Sequence, residues 1–322
     1  MNSTNPENFY TKLQDACSGD TDNEIYIIAQ NHQPIDPIES VSSLLLKVSF
    51  EEKKNSYITI LKGQGLASDY SPSFECLARG PEGELYIGED EGFFNLKNGD
   101  SKKIDLSKVA DADGLVRAIY VAGQSSVEFG MYSNEVVSYS DRKFLKSVLR
   151  KANDADDSVQ RMHGLGSKFA VAVGNEGLVA VMRDGKWSSV ACPSNTKLQA
   201  VWCKSEREVY IGGWDGSAWR WDGEGRWEPL EIDFDGDITK FRFSDFGEFQ
   251  GKLYAANSKN GVSWLDGNVF RLIPKVSSEF VTRIRITNCG LIGLGALLGA
   301  PGTWLTRFDG QKWTSEQVQI PM

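Results

Sequence analysis

Apolar residues along this chain gather in short runs of strand length, rich in Val, Ile, Tyr, Phe and Trp and cut off by Gly, Asn, Asp and Ser. No stretch calls for a long amphipathic helix. The clearest unit lies between Leu198 and Trp227. A strand over Leu198–Cys203 leads through a polar turn to a second over Glu208–Gly212, then through a Gly-containing turn to a third over Ala218–Trp221. Asp222-Gly223 and a last strand close the unit. The same order runs through Phe74–Ala78, Glu84–Ile87, Gly92–Leu96 and Lys103–Leu106, and again through Val159–His163, Lys168–Val173, Leu178–Met182 and Trp187–Ala191. Four short strands per unit is the pattern of a propeller blade.

The turn between third and fourth strands sets the count. Asn98-Gly99, Asp184-Gly185, Asp222-Gly223, Asp266-Gly267 and Asp309-Gly310 supply the positive φ that tight hairpins demand. The later glycines are 38, 44 and 43 residues apart, and Gly99 to Gly185 is 86, two periods, with Ser140-Asp141-Arg142 at the missing turn. One period before Gly99 stands Lys54-Asn55, which makes seven turns. The predicted fold is all-β: one seven-bladed propeller of four-stranded antiparallel blades over residues 10–322, after a tail at 1–9. A pair of β-sandwiches would also give short strands, but its spacing would not repeat every four. Small residues in the second strands (Gly88, Gly174, Gly212, Gly213, Ala255, Ala256) allow strands to crowd toward a central axis. The first repeat begins near Lys12–Ala16 and the last ends with Lys312–Ile320, so a swapped closing strand stays open.

From Val209 the chain reads Val-Tyr-Ile-Gly-Gly-Trp-Asp-Gly-Ser-Ala-Trp-Arg-Trp-Asp-Gly-Glu-Gly-Arg-Trp to Trp227. This resembles bacterial propeller repeats of the Asp-Gly-x-x-Trp type, relatives in style of the Asp-box and WD-repeat propellers. Similar closings stand at Asp184–Trp187 and Asp309–Trp313, while Asp266–Phe270 replaces Trp with Phe. The likeness is clear in the C-terminal half and thin in the first three repeats, and it speaks for fold rather than function. Neither a sialidase's arginine triad, acid and tyrosine nor a calcium lactonase's Glu, Asn and Asp set can be placed on a local motif.

Charge and composition narrow the partners. The formal net charge is −9 and the isoelectric point near 5.0, which argues against binding to phosphate backbones and for a basic partner. Residues 1–8 lack a secretory pattern, and the longest apolar stretch, Leu291–Ala300, is half the length of a membrane helix and reads as a buried strand pair. Five scattered cysteines without a C-x-x-C pair fit a reducing cytoplasm, with Cys76 and Cys203 as buried small hydrophobes. With only His32 and His163, no multi-His metal site or histidine-based acyl-transfer centre can be assembled. His163 reads as a core or channel residue, His32 as solvated loop. Gly293–Gly299 lacks the spacing of a dinucleotide loop, and Asp233–Asp237 departs from a calcium loop in its glycine and its twelfth position. No cofactor or metal is expected.

The acids have the most informative placement. In a propeller the interblade connections and the second-to-third turns open on one face, and the other two turn classes open on the opposite one. The first set holds Glu89, Asp90, Glu91, Asp111, Asp113, Asp154, Asp156, Asp157, Glu176, Asp215, Asp233, Asp235 and Asp237, with Trp214 at the rim. The opposite turns mix signs. An electronegative face that steers and holds a cationic protein follows, with Trp214 as a candidate anchor. Asn31–Ser43 reads as a long recognition loop on the same face.

The expected function is a noncatalytic, cytoplasmic, monomeric binding protein for a basic partner, with no nucleic acid or membrane involved. Its concrete form is an immunity protein that covers the basic cleft of an antibacterial toxin, a nuclease, since similar repeats stand beside such toxins. The alternatives are a hydrolase, lactonase or glycan-binding propeller with a channel-mouth site, and a scaffold subunit.

Overall fold

The computed structural model describes residues 10–35, 38–50, 56–62, 74–110, 114–124, 126–150, 158–274, 279–297 and 303–318. Seven sheets follow one another along the chain, each with four antiparallel strands consecutive in sequence. Blade 1 spans Tyr10–Lys62, blade 2 Cys76–Asp105, blade 3 Val116–Val148 and blade 4 Val159–Ser189. Blade 5 spans Leu198–Pro229, blade 6 Asp245–Leu272 and blade 7 Glu279–Gln317. The first strand of every blade touches the first strands of both neighbours, so seven inner strands surround one axis. This is the seven-bladed propeller that the turn spacing predicts.

The turns show why the spacing was readable. Asn98 and Gly99 both take positive φ, as do Asp184 and Gly185, the backbone that right-twisted hairpins need. Asp141 and Arg142 adopt the same conformation at φ 51 and 63 with no glycine, which is why that blade lacks the sequence signal. At Asp222 and Asp309 the carboxylate itself organises the turn, accepting from Glu224, Gly225 and Arg226 N–H in one case and from Gln311 and Lys312 N–H in the other. The Lys54-Asn55 turn lies outside the described residues.

The core lies between blades rather than within them. Phe169, Val171 and Val173 of blade 4 pack on Leu198, Val201, Val209 and Ile211 of blade 5, all with little or no exposure. Small residues in the second strands serve this contact: a Cβ on Gly88 would meet Val116 of the next blade at 2.7 Å, and one on Gly212 would meet Phe243 at 2.8 Å. Blades 1 and 7 close the ring in the same way. Leu13, Ile25, Ile27 and Leu46 share a cluster with Ile292, Leu294 and Leu305, and the Cys289 thiol donates to the carbonyl of Asp22 at 3.1 Å. Among the described residues neither blade takes a strand from the other.

Three local readings are corrected. Asn31–Ser43 is not a loop: the second and third strands of blade 1, Glu24–Ile35 and Ile38–Ser49, carry an unbroken ladder out to Ile35 opposite Ile38. His32 therefore lies in a strand. Its polar composition read as a loop, yet the two strands satisfy each other's backbone groups. Leu291–Ala300 is not a strand pair but lies mostly in one strand, Gly290–Leu297. Finally, Glu231–Asp233, read as interblade connection, adds a fifth strand to blade 6, parallel to its outer strand Val269–Leu272.

Candidate functional site

Position along the inner strands controls the chemistry at the axis. Five of them carry a register shift at the same level, each skipping one polar residue: Gln14, Arg117, Gln160, Gln199 or Thr282. Such bulges re-aim a side chain without breaking the sheet. Glu75 and Ser244 hold the matching place in the other two, donating their N–H groups to Gly88 and Ala256. The result is a polar collar around the upper mouth, where the interblade connections lie. Within it Glu75 accepts from Gln14 Nε2 at 3.0 Å and from Arg117 at 2.8 Å.

The interblade connections and second-to-third turns are hydrogen-bonded to one another. Leu106 N–H donates to Glu91 O, Gly177 N–H to Thr196 O, Trp214 N–H to Lys197 O and Gly216 N–H to Phe241 O. Glu89, Asp90, Glu91, Glu176, Trp214, Asp215, Asp235 and Asp237 thus belong to this mouth, but in different states. Glu89 is buried against Lys103 at 2.9 Å, and burial raises its pKa while Lys103 opposes the rise. Asp90 is partly covered, and Glu91 is exposed and also paired with Lys103 at 2.8 Å. Asp237 caps a short turn of helix through Thr239 and pairs with Lys240 at 3.2 Å. Glu176, Asp215 and Asp235 are exposed. Asp233 sits on the flank of blade 6, held by Arg271 at 3.0 Å. Asp111, Asp113, Asp154, Asp156 and Asp157 lie outside the described residues.

Trp214 is fixed on three sides. Its indole N–H donates to Gln199 of the collar at 2.8 Å, the Arg242 guanidinium stacks 4.0 Å from its ring, and the Lys197 ammonium stands 5.7 Å away. The sequence reading missed Arg242, whose place depends on how the connection 230–244 folds back over Gly216.

Below the collar the axis holds three buried charges, Asp15, Asp245 and Arg161, and the half-buried Arg285, all of which the sequence reading also missed. Asp15 of blade 1 accepts from Arg285 of blade 7 at 2.7 Å and from the N–H of Leu77 of blade 2 at 3.0 Å. Asp245 of blade 6 accepts from Arg285 and from Ile284 N–H, with Arg161 Nε of blade 4 at 3.7 Å. Burial works against the Arg285 charge, but Asp15 and Asp245 outweigh it and hold the guanidinium above its ordinary value. Charged residues inside otherwise apolar first strands were the available signal.

From these charges to the lower ends of the inner strands runs a cavity of about 360 Å³ to which all seven blades contribute. Tyr120, His163 and Trp202 form one wall; Ala78 and Gly247 stand at matching places in blades 2 and 6. The His163 and Trp202 rings lie 4.0 Å apart, and His163 Nδ1 accepts from Cys203 N–H at 2.9 Å. Burial, aided by the charge of Arg285, pulls the imidazole down to about 4, so it is neutral with its proton on Nε2. Cys76 and Cys203 are buried, and burial raises both thiols. Among the described residues no group of three or more His, Cys, Asp or Glu is placed to hold a metal ion, and no helix is long and apolar enough to cross a membrane.

Fold and axis together define a β-propeller repeat protein. No family model matches the chain, and no curated protein matches it. Solved propellers do. The chain is similar to U3-55K (TM-score 0.67, 11% identity, 92% of this chain and 97% of that one). It is similar to a catalytically inactive virginiamycin B lyase from Staphylococcus aureus with quinupristin (TM-score 0.65, 11% identity, 92% and 94%). It is also similar to YCF48 bound to D1 peptide (TM-score 0.63, 14% identity, 90% of each). At these identities the likeness is one of fold.

Proposed function

We propose that this propeller is a noncatalytic platform that binds a basic protein on its upper face. The observation that carries the reading is the half-buried Trp214 ring stacked by the exposed Arg242, anchored through Gln199 and adjoined by exposed carboxylates at Glu176, Asp215 and Asp235. A ring already held in place loses little freedom on binding, and acids around it that form no ion pair among the described residues attract a cationic surface. The YCF48 structure supplies a propeller with a bound peptide. The finer form of the proposal has a bacterial toxin as the partner, a nuclease whose basic cleft the acidic face covers, with the chain acting as its cytoplasmic immunity protein. The net charge of −9 supports that pairing.

The test is capture from the native cell with the wild-type chain and with a variant carrying Glu176→Lys, Asp215→Lys and Asp235→Lys. The captured protein should be basic, its binding should weaken with salt, and the variant should lose it. Capture that ignores both salt and charge reversal would sink the acidic-face reading. Protection of cells from that protein, lost in the same variant, tests the immunity role.

A further inference from the structure

The axial cavity has an unbalanced inventory of polar groups. Its two acids are engaged: Asp15 accepts from Ala16 N–H, Leu77 N–H and Arg285, and Asp245 from Phe246 N–H, Ile284 N–H and Arg285. Its donors are in surplus. His163 spends Nδ1 on Cys203 N–H, which makes Nε2–H a donor, and no hydrogen bond from it is formed among the described residues. Arg161, 7% exposed, uses Nη1 on Gln160 O, while Nε and Nη2 make no hydrogen bond. A pocket with donors left over and its acceptors committed favours a ligand that brings acceptors and negative charge.

Its shape adds a second requirement. The wall of Tyr120, His163 and Trp202 spans three successive blades, and Ala78 and Gly247 leave a slot beside it. A volume of about 360 Å³ is at the small end of ligand sites and suits a single ring with one substituent.

We propose that this cavity is a binding site for a small aromatic carboxylate. The ring lies in the slot against Trp202, and the carboxylate accepts from His163 Nε2–H in the field of Arg161 and Arg285. This site belongs to the lower half of the axis and does not depend on what docks at the upper mouth.

Benzoate, benzamide and acetate serve as probes, titrated into the full chain by calorimetry, with saturation-transfer NMR to detect the bound ring. Benzoate should bind saturably, and benzamide and acetate each about tenfold or more weakly, since one lacks the charge and the other the ring. Ala78→Phe, which fills the slot, should abolish binding. His163→Phe keeps a ring in the wall but removes the donor, and should erase the preference for benzoate over benzamide; thermal melts establish that each variant is folded. Absence of saturable benzoate binding, equal affinity for benzamide, or binding undisturbed in folded Ala78→Phe would each overturn the proposal.

Discussion

The inner and outer strands of this propeller are made of the same antiparallel ladder yet answer to opposite demands. Inner strands such as Val159–Gly164 are buried or half-buried throughout and carry bulges at one shared level; outer strands such as Asp100–Asp105 and Lys143–Val148 are mostly exposed. Lysines at 102, 103, 143, 146 and 186 mark the outer edges and discourage pairing with other chains. Blade 6 covers its edge instead with the parallel strand Glu231–Asp233. Radial position therefore sets what a residue is worth: the same substitution is severe at the axis and minor at the rim.

The sharpest break in that comparison is Arg285→Ala. It strips the shared partner from two buried carboxylates, Asp15 and Asp245, and should destabilise the chain by about 3–5 kcal/mol in urea unfolding. Adding Asp15→Asn should recover a good part of the loss, because the unpaired charge, not the missing contact, is the larger penalty, while Asp245 keeps Arg161 beside it. Failure of the double variant to recover would show that the axis depends on the ion pairs themselves.

Phe243→Ala tests the packing between blades. Phe243 is fully buried and meets Phe241, Phe246 and Phe270 with centroids 4.8–5.6 Å apart. Its truncation should cost about 3–5 kcal/mol, at the lower end if Phe246 can shift into the space.

These axial residues also mark where the sequence stops being legible. Blade count could be read because each hairpin is encoded locally, by two or three residues such as Asp184-Gly185 or by the Asp222 side chain. Even the glycine-free turn at Asp141-Arg142 was recoverable from its neighbours' spacing. Asp15, Arg161, Asp245 and Arg285 lie in four different repeats, and they meet only once the register of every inner strand is fixed. The upper face was half legible. Loop class placed Glu176, Asp215 and Asp235 at one mouth, but it could not show that Glu89 is buried under Lys103 or that Asp233 is held by Arg271 on the flank. Sorting acids by loop counts charges and not their partners.

A gentler probe of the axis is pH. His163 stays neutral in the folded chain down to about 4, against an ordinary 6.5, because burial disfavours its charge and Arg285 adds to the effect. Unfolding therefore takes up a proton between these values. The contribution is whole above pH 6.5 and is lost as pH falls toward 4, on the order of 3 kcal/mol in all. His163→Gln should flatten the stability profile in that window. An unaltered slope would place the titration elsewhere.

The smallest effect belongs to the rim. Leu145 is 61% exposed and Val148 57%, both on the outer strand of blade 3, where none of the described residues covers them. Exposed apolar side chains on an edge contribute little to folding, so Leu145→Ser should change unfolding free energy by no more than about 0.5 kcal/mol. The backbone ladder from Glu135 opposite Val148 to Ser140 opposite Lys143 remains intact in that variant, since it does not depend on the side chain. Equilibrium urea unfolding, run beside Phe243→Ala, sets the two against each other. A loss at Leu145 as large as that at Phe243 would mean that the outer strand is covered in solution, and would remove the distinction between rim and axis at blade 3.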